Sequence, residues 1–311
     1  MTAPARVKSL PQMHGRVHVH DLPDLSADTP GRKVRVWTPN CYADASAPRF
    51  PVLYLQDGQN LFGGSRSRSK SGNWQVDATA QRLITAGAIP PMILVGVDNV
   101  GAERADEYTP VPWKGKGGRA EVYADLLVSE VKHFVDRTYR TRPGPESTAL
   151  GGSSLGGLFA LYAGLRMPDV FGGIMAMSPS IYWGEDHIVG VAEQVPPSSV
   201  RIWLDVGQHE TTTMRTGLRK IHDALTRNGW RTDRASRRTA LRTIEDPDGH
   251  HDEASWGRRF AQALRFLFPA NGLREQARAE HPADGRSSRT SPGGRSVAAS
   301  TRPVPRCPTR S

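Results

Sequence analysis

Gly152-Ser153-Ser154-Leu155-Gly156 sets a serine between two glycines where an apolar run from Ser147 meets a helical stretch, Gly157 to Leu165. In such a G-x-S-x-G turn the serine is forced into an unfavourable backbone conformation. Glycines two before and two after it remove side chains that would collide. Centring the frame on Ser153 would put Leu155 where a glycine is needed, so the candidate nucleophile is Ser154. The helix that follows aims its positive end at the site and favours a developing oxyanion. A hydroxyl is a poor nucleophile near neutral pH, so the motif gains meaning only with a histidine base, a carboxylate to orient it and donors for the oxyanion.

The chain holds ten histidines. His14, His18, His20 and His281 lie near the ends of the ordered region, and His133 and His222 sit within helical patterns. His187, His209 and the pair His250 and His251 remain. The pair follows the turn-rich Asp246-Pro247-Asp248-Gly249 and precedes a helix, where a chain ordered Ser, acid, His carries its base. A metal site on His250, His251 and Asp252 is disfavoured, because adjacent residues rarely point at one ion and no third ligand is spaced for it. For the acid, Leu204-Asp205-Val206-Gly207-Gln208-His209-Glu210 offers two carboxylates. Glu210 is preferred because it falls just past the strand's carboxyl end, where catalytic groups gather in open α/β sheets; Asp205, inside the strand, is the alternative. The oxyanion donors expected are the amide of Leu155 and, from the loop Tyr54 to Asn60, that of Gln59 after Gly58.

These groups need a frame, and the chain supplies an alternating one. From about Gly15 to Phe268, short apolar runs alternate with helical periodicity, the pattern of a mainly parallel sheet covered on both faces. Arg16 to His20 and Lys33 to Trp37 alternate apolar with polar residues and predict an antiparallel edge. PVLYL from Pro51, MILVGV from Met92, STALGG from Ser147, GGIMAMS from Gly172 and VRIWLDVG from Val200 predict buried strands. Helical faces carry Tyr123, Leu127, Val131, Phe134 and Val135; Met214, Leu218, Ile221 and Leu225; and Trp256, Phe260, Leu264 and Phe268. Gly63 to Asn73 and Asn99 to Gly118 are the long irregular stretches, and such loops often line a site.

Composition bounds the rest. The 311 residues carry a formal charge of +10, and the segment Asn271 to Ser311, with eight arginines and three acids, accounts for +5 of it. That segment, rich in Arg, Ser and Pro, has almost nothing to bury and is expected to be a disordered basic tail (271–311) behind one domain (15–270) and a flexible N-terminus (1–14). Cys41 and Cys307 are too few for a disulfide scaffold. Neither an apolar signal core nor a membrane-length apolar run is seen, so a cytoplasmic location is expected.

YLQDGQNLF from Tyr54, VGVDNVGAERADEYTP from Val95, GGSSLGG from Gly151, MSPSIYW from Met177, DVGQHE from Asp205 and GHHDEASW from Gly249 together resemble the Putative esterase family, the esterase D and enterochelin esterase branch of the α/β-hydrolases. The resemblance implies an α/β-hydrolase fold and a Ser-His-Glu triad. Its H-[ND]-E-x-x-W stretch selects His251 over His250, and its G-x-x-E spacing selects Glu210. The mycolyltransferase relatives likewise place an oxyanion amide at Gln59. Asp57, Asn60, Tyr182 and Trp183 are the candidate pocket residues, although Tyr182 and Trp183 could equally pack their loop. Glu103, Arg104 and Glu107 are expected to hold the long loop by ion pairs, the alternative being contact with a polar substrate, and Trp256 to steady the loop bearing His251.

The expected activity is a serine esterase acting through an acyl-enzyme on a small, siderophore-type or carbohydrate-type ester, without cofactor or metal. Acyl transfer by the same triad is the alternative. Polyanion binding through the basic tail ranks lower, since no basic aromatic strand pattern or recognition helix supports nucleic acid. The expected partner is the small ester, with no membrane role.

Overall fold

The computed structural model describes residues 15–23, 31–63, 72–232 and 240–270, so the calls on residues 1–14 and 271–311 lie outside the described residues. In chain order the strands are β1 (Arg16–Leu22), β2 (Arg32–Thr38), β3 (Val52–Gln56), β4 (Ile93–Val97), the short β5 (Pro112–Trp113) and β6 (Lys116–Gly117), β7 (Thr148–Ser153), β8 (Gly173–Met177), β9 (Arg201–Gly207) and β10 (Ala240–Asp246). The helices are α1 (Val76–Thr85), α2 (Arg104–Tyr108), α3 (Ala120–Leu126), α4 (His133–Thr138), α5 (Leu155–Arg166), α6 (His187–Gln194), α7 (Thr212–Arg227) and α8 (Glu253–Leu267).

The main sheet runs β1-β2-β4-β3-β7-β8-β9-β10. β1 and β2 pair antiparallel, β2 meets β4 antiparallel, and every pairing from β4 onward is parallel. Strands β3, β4, β7 and β8 are buried along their whole length, which is why they read as continuous apolar runs and not as alternating ones. Side chains still alternate between two cores. Tyr54, Ile202, Leu204 and Val206 share one core with α5 and α7; Leu53, Leu55 and Trp203 share the other with α1 and α8.

The face with Tyr123, Leu127, Val131 and Val135 is buried as its pattern predicts. A spacing of four would drift about 40° per step in a 3.6-residue helix. A wider π turn over Leu127–Lys132 joins α3 to α4 and takes up that drift.

Two expectations need correcting. The stretch Asn99 to Gly118 is not irregular: it holds α2 and the β5–β6 hairpin, tied by Gly117 N donating to Asp106 Oδ1 at 2.6 Å. And β10 was missed, because ALRTIED has the polar composition of an edge strand and pairs only with β9. The stretch Gly63 to Asn73 falls largely outside the described residues. No described helix is long and apolar enough to cross a membrane.

Candidate active site

Ser154 stands between β7 and α5 with φ 56° and ψ −122°. A non-glycine residue there costs on the order of 1–3 kcal/mol, and the surroundings hold it: Ser154 N donates to Met177 O at 3.0 Å, and Leu158 N and Ser180 N donate to Ser154 O at 3.0 and 3.1 Å. The flanking glycines are sterically required, since a Cβ on Gly152 would meet the Gly156 carbonyl carbon at 2.7 Å.

His251 Nε2 lies 3.0 Å from Ser154 Oγ, and His251 Nδ1 lies 2.8 Å from Glu210 Oε2. The loops that carry His251 and Glu210 are closed against each other. His209 N donates to Gly249 O at 3.0 Å and Gln208 N to Asp246 O at 2.8 Å, extending the β9–β10 pairing past the strand ends. A Cβ on Gly207 would meet Gly249 O at 2.2 Å, so only glycine permits this approach. Asp252 then caps α8 by accepting from Ser255 N at 2.8 Å, which fixes the turn directly after His251.

Glu210 is 7% exposed. Burial would raise its carboxyl, but hydrogen bonds from His251, Ser178 and the Gly207 amide outweigh burial and hold the group below the ordinary glutamate range. Asp205 sits elsewhere. Its place on β9 turns it to the α8 side, where Arg259 Nε donates to its Oδ1 at 3.0 Å and Trp203 Nε1 to its Oδ2 at 2.7 Å. Burial pushes the Asp205 carboxyl upward in spite of Arg259. Asp205 therefore contacts neither His251 nor Ser154 and anchors a buried cation.

Removing that anchor is expensive, because Arg259 is 2% exposed and would lose a buried partner. Asp205→Ala is expected to lower unfolding free energy by about 3 kcal/mol or more, read as a drop in the urea midpoint.

The remaining predicted residues divide. Leu155 opens α5 and Gln59 lies in the 3₁₀ turn Gly58–Asn60, and amides in a first helical turn have no i−4 carbonyl to serve. The side chain of Gln59 is occupied, with its Oε1 accepting from Asn99 N at 3.2 Å. The Asp57 carboxylate accepts from Arg104 through two bonds of 2.8 Å and from Asn99 Nδ2 at 2.6 Å, which brace the loop. Arg32 clamps Glu107 at 2.8 and 3.1 Å. Asn60 Nδ2 reaches Glu253 Oε1 at 3.4 Å. Trp183 donates its indole N–H to Val111 O at 2.8 Å and packs its loop. Tyr182, with Trp113, Thr212, Thr213, Thr216 and Lys220, lines a cavity of about 470 Å³. His250 stays apart, stacked on His209 with ring centroids 4.7 Å from each other.

Sequence reasoning missed Ser178, Ser180 and Arg259. Ser180 Oγ lies 3.3 Å from Ser154 Oγ. Ser178 Oγ donates to Glu210 Oε1 at 2.6 Å and receives Trp256 Nε1 and Arg259 Nη2, each at 2.9 Å. The available signal was an arginine at the apolar face of the last helix, three after Trp256 and one before Phe260. No group of three or more His, Cys, Asp or Glu suited to a metal occurs among the described residues.

The sequence profile of the family described as Putative esterase matches residues 29–267. The chain belongs to the Putative esterase family. It is thus a carboxylic ester hydrolase by family. It is similar to the iron(III) enterobactin esterase of Escherichia coli K12, 30% identical, with 76% of this chain and 54% of the relative covered. It is also similar to the uncharacterized protein YbbA of Bacillus subtilis, 27% identical over 77% of this chain and 94% of the relative. The chain thus spans nearly all of YbbA and about half the length of the enterobactin esterase. Among solved structures, the BES protein of Bacillus cereus superposes with a TM-score of 0.66 at 19% identity, covering 86% of this chain and 99% of that one. An IroE-like serine hydrolase from Shewanella oneidensis has the same TM-score of 0.66, covering 81% and 80%. These likenesses and the mostly parallel sheet make this family member an α/β-hydrolase fold.

Proposed function

We propose that the protein is a serine esterase that works through an acyl-enzyme on a Ser154-His251-Glu210 triad. One observation carries the reading: an unbroken chain of contacts, 3.0 Å from Ser154 Oγ to His251 and 2.8 Å from His251 to Glu210, ending on a serine held in a strained turn.

His251 Nε2 accepts the Ser154 proton as Oγ attacks the ester carbonyl. The amides of Leu155 and Gln59 receive the oxyanion, helped by the positive end of α5. His251 then returns the proton to the departing alcohol, which leaves Ser154 acylated. A water, deprotonated by the same nitrogen, attacks the acyl carbonyl and releases the acid and free Ser154. Glu210 holds Nδ1 protonated and offsets the charge that forms on the ring.

The cavity beside Tyr182 is the proposed subsite for one arm of the ester. Ser180 touches the nucleophile and leads within two residues to Tyr182, and Glu210 leads directly into Thr212 and Thr213. A lining that mixes aromatic rings and hydroxyls with the charges of Glu185, Asp186 and Lys220 suits a polar siderophore-type or carbohydrate-type ester, in keeping with relatives named as enterobactin and salmochelin esterases. The test is covalent trapping. Phenylmethylsulfonyl fluoride is expected to abolish hydrolysis of p-nitrophenyl butyrate and to add its sulfonyl group to the peptide containing Ser154, seen by mass spectrometry. Inactivation with the label on another residue would refute the assignment.

A further inference from the structure

Behind Glu210 lies a buried group of side chains whose hydrogens can be arranged in one way only. Ser178 is fully buried and is contacted through its single oxygen by three partners: Trp256 Nε1 at 2.9 Å, Arg259 Nη2 at 2.9 Å and Glu210 Oε1 at 2.6 Å. An indole N–H and a guanidinium can only donate. The two donors fill both lone pairs of the Ser178 oxygen, so its one proton must go to Glu210.

Glu210 is then constrained in turn. Its Oε1 accepts from Ser178 and from Gly207 N at 2.8 Å, and its Oε2 faces His251 Nδ1. Donors on Oε1 favour the ionised carboxylate, which accepts at Oε2 as well. His251 is left with the hydrogen on Nδ1 and a free lone pair on Nε2, facing Ser154.

We propose that Ser178 is a positioning residue, oriented by Trp256 and Arg259, which by donating to Oε1 favours the ionised Glu210, an acceptor at both oxygens, and thereby selects the His251 tautomer able to take the Ser154 proton. This rests on the triad reading above. Arg259 is itself fixed by Asp205 at 3.0 Å and Asp246 at 3.3 Å, so a second set of carboxylates serves the triad without touching it. Backbone geometry supplies an independent sign. Ser178 has φ 43°, a cost that non-glycine residues bear where surroundings over-determine them, often at functional sites.

The charged groups facing Glu210 are His251 from the loop before α8 and Arg259 from α8, whose Nη2 is 3.8 Å from Oε1. Asp205 from β9 reaches it through Arg259 and through Ser178, whose backbone N donates to Asp205 Oδ1 at 3.3 Å, and Asp246 from β10 through Arg259. Removing the Ser178 hydroxyl takes a hydrogen bond from the carboxylate and makes it more basic, so Glu210 takes up its proton at higher pH.

The experiment uses Ser178→Ala and Ser178→Gly in the full chain, assayed on p-nitrophenyl butyrate from pH 5 to 9, with Ser154→Ala as the blank. Glycine relieves the positive φ, so this variant loses the hydroxyl without the backbone cost that alanine retains. Both variants are expected to lose about 10- to 100-fold in kcat, the worth of one hydrogen bond to a charged group. KM should stay unchanged, because a fully buried Ser178 touches no substrate, and the acid limb of the pH profile should move to higher pH. Wild-type kcat in both variants, or a fall in kcat with the acid limb unmoved, would overturn the proposal while an inactive Ser154→Ala leaves the triad standing. Wild-type activity in Ser154→Ala would overturn both.

Discussion

Ser154→Ala is expected to lower kcat on p-nitrophenyl butyrate by about 10⁴-fold or more, with KM and thermal midpoint nearly unchanged. The loss is large because the hydroxyl supplies the bond that splits one difficult hydrolysis into two easier steps. Its removal leaves only the oxyanion donors and substrate binding, which by themselves still give some acceleration over water. Stability should not fall with activity. Ser154 is held by its backbone, through Met177 O, Leu158 N and Ser180 N, and those bonds survive the substitution. A coupled loss of folding and rate would show that the side chain is part of the packing, and a retained rate would show that the nucleophile lies elsewhere.

Glu210→Gln is the second large effect, with kcat expected to fall by about 10³- to 10⁴-fold. An amide is nearly isosteric but brings an NH₂ donor into a site where Ser178, Gly207 and His251 all donate. Turning the amide oxygen to Ser178 and Gly207 aims its NH₂ at His251 Nδ1, which favours the tautomer with its hydrogen on Nε2, unable to take a proton from Ser154. The same variant tests the electrostatics. The Glu210 carboxyl is held below its ordinary value, so its stabilising contribution is complete above the unfolded glutamate pKa of about 4.3 and is lost as pH falls through the lower folded value. Wild type should exceed Glu210→Gln in urea resistance near pH 7, and that advantage should shrink under acid. A gap that is constant with pH would mean that the carboxylate contributes through shape and not through charge.

Much of this was legible in the chain because it is decided within a few residues. The G-x-S-x-G turn declares itself through a local collision, and β3, β4, β7 and β8 through unbroken apolar runs that only a doubly covered sheet can accommodate. Less was legible at the polar edge, where β10 carries no apolar run. The loop Asn99 to Gly118 was also obscure, since its order comes from ion pairs between residues such as Arg104 and Asp57.

By itself, then, the sequence determined the buried strands of the sheet, the elbow with Ser154, and a short set of partners: Asp205 or Glu210, His250 or His251, with the family resemblance choosing between them. Only the tertiary structure decided where each of these side chains lies. Side chains alternate along β9, so Asp205 turns to the α8 face and meets Arg259, while Glu210, past the strand end, meets His251. The close approach of Gly207 and Gly249 brings the two loops within reach. The donor pair that orients Ser178 comes from α8, about 80 residues downstream by the separations of 78 and 81. Hydrogen direction in a buried cluster depends on every donor that converges there, and that convergence exists only once β8, β9 and α8 have packed.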